Sequence, residues 1–309
     1  MRVAVTGGTG FVGAALITTL LNRQDEITAL ARDRKKLKSS GAVRVIEGDL
    51  ANEEALNALA NGADVFINLA GVTHAHSEQD YARVNVDGAV RAAKAAAAHG
   101  AKFIHISSMS ARVPGVSPYA QSKYDSETAV AKASGANPQL SLRLPAIYGP
   151  GDLVTLPFFK LVKSGFALEP KTTPPARASI LYVDDAAQAI LAAAMAAPAG
   201  RVYEVGDTSA DGHAWTEIGE VLGRVLDKTP KSIKAPRAFV AAYHRLVRTG
   251  ERLLNRPPSV RAGQINEFFH PDWVARDNLL SEKTDWRATT SLEDGFAKTA
   301  LWYQENGLL

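Results

Sequence analysis

The sequence predicts an α/β protein built on a doubly wound parallel sheet, and three observations carry that expectation. A glycine-rich loop, Thr6-Gly7-Gly8-Thr9-Gly10-Phe11-Val12-Gly13, follows the short apolar run Val3-Ala4-Val5 and opens a helical pattern over 11–21. Short apolar runs at 27–30, 43–46, 65–69, 103–107 and 140–144 alternate with stretches of crossover-helix length at 53–59, 81–98 and 119–133. With 309 residues, 46% of them hydrophobic, the chain can cover such a sheet on both faces.

Taken in order, the first element sets the rest. Without Cβ atoms at Gly7, Gly10 and Gly13 the backbone can turn tightly and admit a pyrophosphate, and the helix that follows offers free N–H groups to it. After the second strand, the place where an Asp or Glu would accept from a ribose 2′-hydroxyl is Ala31, followed by Arg32-Asp33-Arg34-Lys35-Lys36. An arginine fork at Arg32 suits a 2′-phosphate, so the predicted cofactor is NADP, with NAD second; Asp33 reads as the N-cap of the turn behind it. The alanine run 92–98 is a helix with a small face, able to lie close on a sheet.

Past Gly149-Pro150-Gly151 the character shifts, with Pro157, Pro170, Pro174 and Pro175 in a longer connection. The reading divides the chain into a nucleotide-binding domain at 1–150 and, at 151–309, a mainly substrate-binding region. Segments 180–183 and 202–205 are expected to return to the first domain's sheet. Helical patterns follow at 215–226, 238–254 and 292–306. The amphipathic 238–254 pattern could be read as membrane-surface binding, but Arg245, Arg248 and Arg252 are spaced by apolar residues as on an ordinary solvated face, and that is the expectation.

Composition narrows the function. Thirty-five basic and 32 acidic residues leave a net charge of only +3, with no basic stripe interleaved with aromatics, which argues against nucleic acid. The absence of cysteine removes disulfides and thiolate chemistry, and the seven histidines lack metal-ligand spacing with carboxylates. No leader or membrane-span pattern stands out, so a cytoplasmic location is expected.

Two clusters carry chemistry. In Tyr119-Ala120-Gln121-Ser122-Lys123 a phenol and an ammonium stand four apart, on one face of a helix. A phenol titrates near ~10, and a neighbouring Lys⁺ favours the phenolate and brings proton exchange closer to neutral pH. The strand at 103–106 runs into Ser107-Ser108-Met109-Ser110, hydroxyls at the carboxyl edge where ligands bind such sheets. A serine there can donate to a carbonyl oxygen; strand alignment favours Ser108, while counting back from Val113-Pro114-Gly115 favours Ser110. Ser108 is the choice because a strand end keeps its register. His74 and His76 are left outside the catalytic set as loop residues.

Together with Gly48-Asp49-Leu50, Asn68-Leu69-Ala70-Gly71, Asn85-Val86-Asp87-Gly88, Leu142-Arg143, Tyr148-Gly149-Pro150-Gly151 and Tyr182-Val183-Asp184-Asp185, these stretches resemble the extended short-chain dehydrogenases/reductases of the epimerase/dehydratase type, over nearly the whole chain. The resemblance implies a Rossmann-type domain and a Ser108–Tyr119–Lys123 triad. It also implies cofactor contacts from Gly7, Thr9, Gly10, Phe11, Val12, Gly13, Arg32, Asp49, Leu50, Leu69, Ala70, Gly71, Asn85, Tyr119, Lys123 and Pro145. Asn85 matches an asparagine that bends its helix and anchors a water, whereas Arg143 and Asp184 read equally as a buried pair or as substrate contacts.

Two departures stand out. Only ten or so residues separate the serines from Tyr119, trimming a loop that often touches the sugar, and the stretch before Arg177 lacks the glycines expected ahead of a diphosphate-binding arginine. The predicted function is NADP-dependent hydride transfer on a carbonyl or alcohol, by an oxidoreductase or epimerase. Its substrate is a nucleotide sugar, a steroid-like or flavonoid-like ketone, or another alcohol. A homodimer is compatible with it. The alternative is a non-catalytic, NADPH-holding protein of the atypical short-chain dehydrogenase type, which shares the arginine-rich turn but commonly lacks the Tyr and Lys.

Overall fold

The computed structural model describes residues 1–37, 41–75, 77–253 and 263–309. His76, and the end of the expected helix at Leu254, lie outside them, as do the side chains of Arg248 and Arg252. Strands β1 (Arg2–Thr6), β2 (Glu26–Ala31), β3 (Arg44–Glu47), β4 (Val65–Asn68), β5 (Lys102–Ser108) and β6 (Gln139–Leu144) alternate with helices α1 (Phe11–Asn22), α2 (Glu53–Ala60), α3 (Glu78–Tyr81), α4 (Gly88–Ala98) and α5 (Pro118–Ser134). Strands β7 (Ala146–Tyr148), β8 (Phe166–Pro170), β9 (Arg177–Ala178), β10 (Ile180–Tyr182) and β11 (Arg201–Glu204) follow, with α6 (Leu156–Lys163) and α7 (Val183–Ala196) among them.

The principal sheet is parallel and has seven strands in the order β11-β6-β5-β4-β1-β2-β3. Its order reverses between β1 and β4, where the first crossovers leave on opposite faces and open a crevice at the strands' carboxyl ends. One face buries Leu16, Leu20, Ile67, Ile104 and Ile190, with α1 against α7. The other buries Leu56, Phe66, Phe103 and the alanines of α4, whose small side chains let α2, α4 and α5 crowd the sheet. Phe66 and Phe103 touch there, ring centroids 5.5 Å apart.

One expected strand goes elsewhere. Residues 180–182 do not join the principal sheet; β10 pairs with β7, and only β11 returns, along β6. The reason is Pro145, which interrupts the run after β6 and sends Ala146–Tyr148 off the sheet, carrying its partner with it.

The short strands β7, β8 and β9, and likewise β12 (His213–Ala214), β13 (Lys231–Ala235) and β14 (Asp272–Trp273), are not among the elements expected from the sequence. These pair outside the principal sheet: β13 runs beside β8, and β9 lies between β12 and β14. Helices α8 (Trp215–Val225), α9 (Arg237–Leu253), α10 (Gln264–Phe268), α11 (Leu280–Lys283) and α12 (Leu292–Glu305) complete the chain. A third core gathers Tyr148, Phe159, Leu222, Phe296 and Tyr303, with rings of Phe159 and Tyr303 5.1 Å apart and edge-on.

Candidate active site

The crevice at the β1–β4 switch point is a cavity of about 580 Å³. Gly7, Thr9 and Gly10 line it from the first loop, Leu30, Ala31 and Arg32 from the end of β2, Asp49 and Leu50 from the loop after β3, and Leu69, Ala70 and Gly71 from the end of β4. Two glycines are required for its shape. Gly7 has φ +74°, and a Cβ there would stand 2.7 Å from the Ala70 nitrogen; at Gly13 a Cβ would stand 2.2 Å from the Gly7 carbonyl oxygen. The free N-terminus of α1, whose N-cap Gly10 provides no side-chain acceptor, and this side-chain-free cradle fit a dinucleotide pyrophosphate.

Not every expected cofactor residue lines that cavity. Phe11, Val12, Gly13, Asn85, Tyr119, Lys123 and Pro145 are absent from its wall. Phe11 packs instead with the third core, and Pro145 is buried between β6 and β7. At the rim Arg32 is exposed, and Asp33 caps the following turn by accepting from the Lys35 N–H at 2.9 Å.

β5 and α5 place the side chains of the expected triad. Ser117 caps α5 by accepting from the Ala120 N–H at 3.0 Å, which fixes the turn bearing half-buried Tyr119; the Tyr119 ring lies 6.1 Å from that of Tyr81. Lys123 is buried, and its ammonium donates to the Ile106 carbonyl at 2.6 Å, so helix and strand are tied near the strand's carboxyl end. Burial brings the Lys123 pKa down to about 8, against the opposing attraction of the Glu127 carboxylate.

Ser108, at the end of β5, accepts from the Ser110 N–H at 3.2 Å and from its hydroxyl at 2.9 Å. Ser107 is buried and donates to Glu127 at 2.5 Å. Asn85 sits in a π-helical turn, Ala82–Asp87, between α3 and α4. Its amide donates to the Val72 carbonyl and the Ser122 hydroxyl, at 3.0 and 2.9 Å, and its oxygen accepts from the Val72 N–H.

The expected Arg143–Asp184 pair is not formed. Arg143 makes a bidentate bond to Glu127, 2.9 and 2.8 Å, and its other nitrogen lies 3.7 Å from Glu204, while Asp184 is exposed with Lys298 as its opposing charge. Leu142 and Leu144 point to the face that α7 covers, so Arg143 between them points to the opposite face, covered by α5, whereas Asp184 opens α7. Arg177 gives its guanidinium to the carbonyls of Asp211 and Gly212, 2.8 and 2.9 Å. His74 is exposed beside Thr73.

The sequence reading also missed a buried relay. Thr6 donates to Asn68 at 2.6 Å, Asn68 donates to His105 Nδ1 at 3.3 Å, His105 Nε2 faces Ser126 at 2.9 Å, and Ser126 donates to the Lys123 carbonyl at 2.7 Å. Burial, then the Lys123 charge, hold His105 well below the usual imidazole range, so it is neutral. The only sequence signal was polar residues inside otherwise apolar strands.

The model of the NAD dependent epimerase/dehydratase family matches residues 3–206, from β1 through β11. The chain belongs to that family. A relative within this superfamily, the ceramide reductase of Caulobacter vibrioides (strain NA1000 / CB15N), is 37% identical over 99% of this chain and 96% of its own. A mitochondrial NADH dehydrogenase [ubiquinone] 1 alpha subcomplex subunit 9 from Arabidopsis thaliana is 26% identical over 89% of this chain and 71% of its own. The UDP-glucose 4-epimerase of Thermus thermophilus, solved with NAD, superposes with a TM-score of 0.71 at 21% identity, over 98% of this chain and 99% of its own. That likeness establishes the Rossmann fold. Within the family this chain is an NAD(P)-dependent enzyme of the oxidoreductase/epimerase kind.

Among the described residues, no helix is long and apolar enough to cross a membrane, and no three His, Asp or Glu side chains are grouped to hold a metal ion.

Proposed function

We propose that the enzyme is an NADPH-preferring reductase of a ketone on a long-chain, ceramide-like lipid, working through Ser108, Tyr119 and Lys123. The observation that carries the chemistry is the buried Lys123 ammonium, one helical turn from Tyr119 and bonded to the strand that ends in Ser108. The substrate class rests on the full-length likeness to a ceramide reductase, and on Arg177, two of whose three guanidinium nitrogens are spent on backbone carbonyls, so that a bidentate fork onto a nucleotide diphosphate would have to break one of these bonds.

When bound, the nicotinamide supplies the hydride that adds to the carbonyl carbon. Tyr119 gives its phenolic proton to the carbonyl oxygen, so the product is a secondary alcohol. The Ser108 oxygen already accepts from Ser110, which leaves its own proton to donate to the same carbonyl oxygen and stabilise the charge that develops there. Lys123, charged below about pH 8, favours the phenolate that remains. Ala31 presents no carboxylate at the end of β2, and exposed Arg32 would hold the 2′-phosphate.

The test joins calorimetry to turnover. NADPH is expected to bind at least roughly tenfold tighter than NADH, ~1.4 kcal/mol, and Arg32→Ala to erase most of that gap. Tyr119→Phe should keep NADPH affinity and lose ~10²–10⁴ in turnover of a micellar long-chain ketone. Equal cofactor affinities overturn the NADPH reading, and near wild-type turnover by Tyr119→Phe overturns the triad.

A further inference from the structure

We infer that the face formed by β13 and α9 docks this enzyme on an anionic lipid surface. Arg245 is exposed, as expected of a solvated face, but large apolar side chains on α9 are exposed with it. Phe239 is 69% exposed and Leu246 73%, seven residues apart and therefore two turns along a single face, with exposed Ala242 between them. Scattered apolar residues on a surface are ordinary, but two large ones stacked on an amphipathic helix are the pattern of a helix lying in an interface. Leading into it, β13 exposes Ile233 between Lys231 and Lys234.

Charge decides what covers this face. Residues 228–261 carry nine lysines or arginines against one acid, Glu251, although the whole chain nets only +3. Lys231, Lys234, Arg237 and Arg245 are exposed on the same two elements as the apolar side chains, Lys234 lying 3.9 Å from Glu169, so β13 and α9 join cationic groups to insertable ones, the complement of an anionic headgroup layer. A small water-soluble anion explains the charges and leaves Phe239 and Leu246 unaccounted for.

The face is rooted at the active site. Arg237, at the start of α9, donates to the Asn266 side chain, and Asn266 donates in turn to the Val116 carbonyl at 3.0 Å. Ser117, which caps the helix of Tyr119, donates to Glu267 of α10 at 2.5 Å. A lipid ketone drawn from the surface would thus arrive beside the turn that holds the phenol. The choice of a bilayer as occupant leans on the lipid-substrate reading, and the test separates the two.

Full-length protein is floated with vesicles of phosphatidylcholine, with and without phosphatidylglycerol. Flotation is expected with the anionic vesicles alone, suppressed by about 0.5 M salt. Phe239→Ser/Leu246→Ser should reduce it at least roughly tenfold, ~1.4 kcal/mol, and Lys231→Glu/Lys234→Glu independently so, while all variants keep wild-type turnover of a micellar long-chain ketone. A wild-type protein that stays unbound, double variants that float as well as wild type, or a face that instead holds two copies together in sedimentation each overturns the docking. Turnover in micelles without flotation overturns the docking alone; flotation without turnover overturns the substrate reading alone.

Discussion

Lys123 shows how one side chain is set by neighbours that the motif does not name. Its ammonium is buried on the Ile106 carbonyl, and the carboxylate one turn further along α5, Glu127, is the charge that opposes desolvation. Glu127 is itself held by Ser107 and by the Arg143 fork. Because burial depresses the Lys123 pKa to about 8, the charge that favours the phenolate is present below that pH and lost above it. The kcat/KM for reduction is therefore expected to decline above about pH 8. Removing the Glu127 charge lowers the lysine pKa further, so in Glu127→Gln, which can still accept from Arg143, the alkaline limb moves toward acid while the plateau below it is kept. Superimposable pH profiles would show that Glu127 serves only to pack the helix. The Tyr-Lys spacing was legible because it lies within one helix; the partners of Glu127 lie on two strands, and no local spacing announces them.

At the scale of elements, the first loop keeps the form its glycines dictate, whereas the helix leading to Val86 departs from its expected register. Gly13 belongs to α1, where alanine is intrinsically preferred, yet its added Cβ would meet the Gly7 oxygen at 2.2 Å and the Gly8 Cα at 2.8 Å. Both neighbours are backbone and cannot rotate away. Gly13→Ala should thus lower the thermal midpoint and weaken NADPH binding at least roughly tenfold, ~1.4 kcal/mol, in calorimetry; unchanged values in both would mean that the loop is not the cradle. The expected continuous helix over 81–98 instead starts at Glu78 under a Ser77 cap and widens into a π turn at Ala82–Asp87. The extra residue is retained because Asn85 is fastened to Val72 and Ser122, three bonds that an α-helical register would have to break.

Across the whole molecule, a buried cluster of charge ties the carboxyl end of the principal sheet to the distant C-terminal segment. Glu204, at the end of β11, is 1% exposed; its carboxylate accepts from the N–H groups of Arg276 and Asp277 at 2.9 and 3.1 Å, with Arg112 and Arg143 within 3.7 Å. Arg112 also donates to the carbonyls of Asp272 and Val274, at 2.6 and 2.8 Å. Removing one member of such a cluster strands its opposite charges in a poorly solvated place, at a cost of ~3–5 kcal/mol. Glu204→Ala is accordingly expected to lose about that much stability in denaturant unfolding, with Glu204→Gln losing less because it keeps an acceptor for the two N–H groups. A variant as stable as wild type would mean that the C-terminal segment is held by its apolar contacts.

The sequence by itself determined the parallel sheet and its crossover helices, the glycine cradle, the Tyr119–Lys123 face and the absence of an acid at Ala31, because each is written in local period, local spacing or a residue's own stereochemistry. It could not determine that β10 would follow β7 away from the sheet, that Arg143 would choose Glu127 over Asp184, that Arg177 would turn to backbone carbonyls, or that Phe239 and Leu246 would be left outside. Those outcomes depend on which groups far apart in the chain come to share a buried or an exposed place, and only the packed tertiary structure decides that.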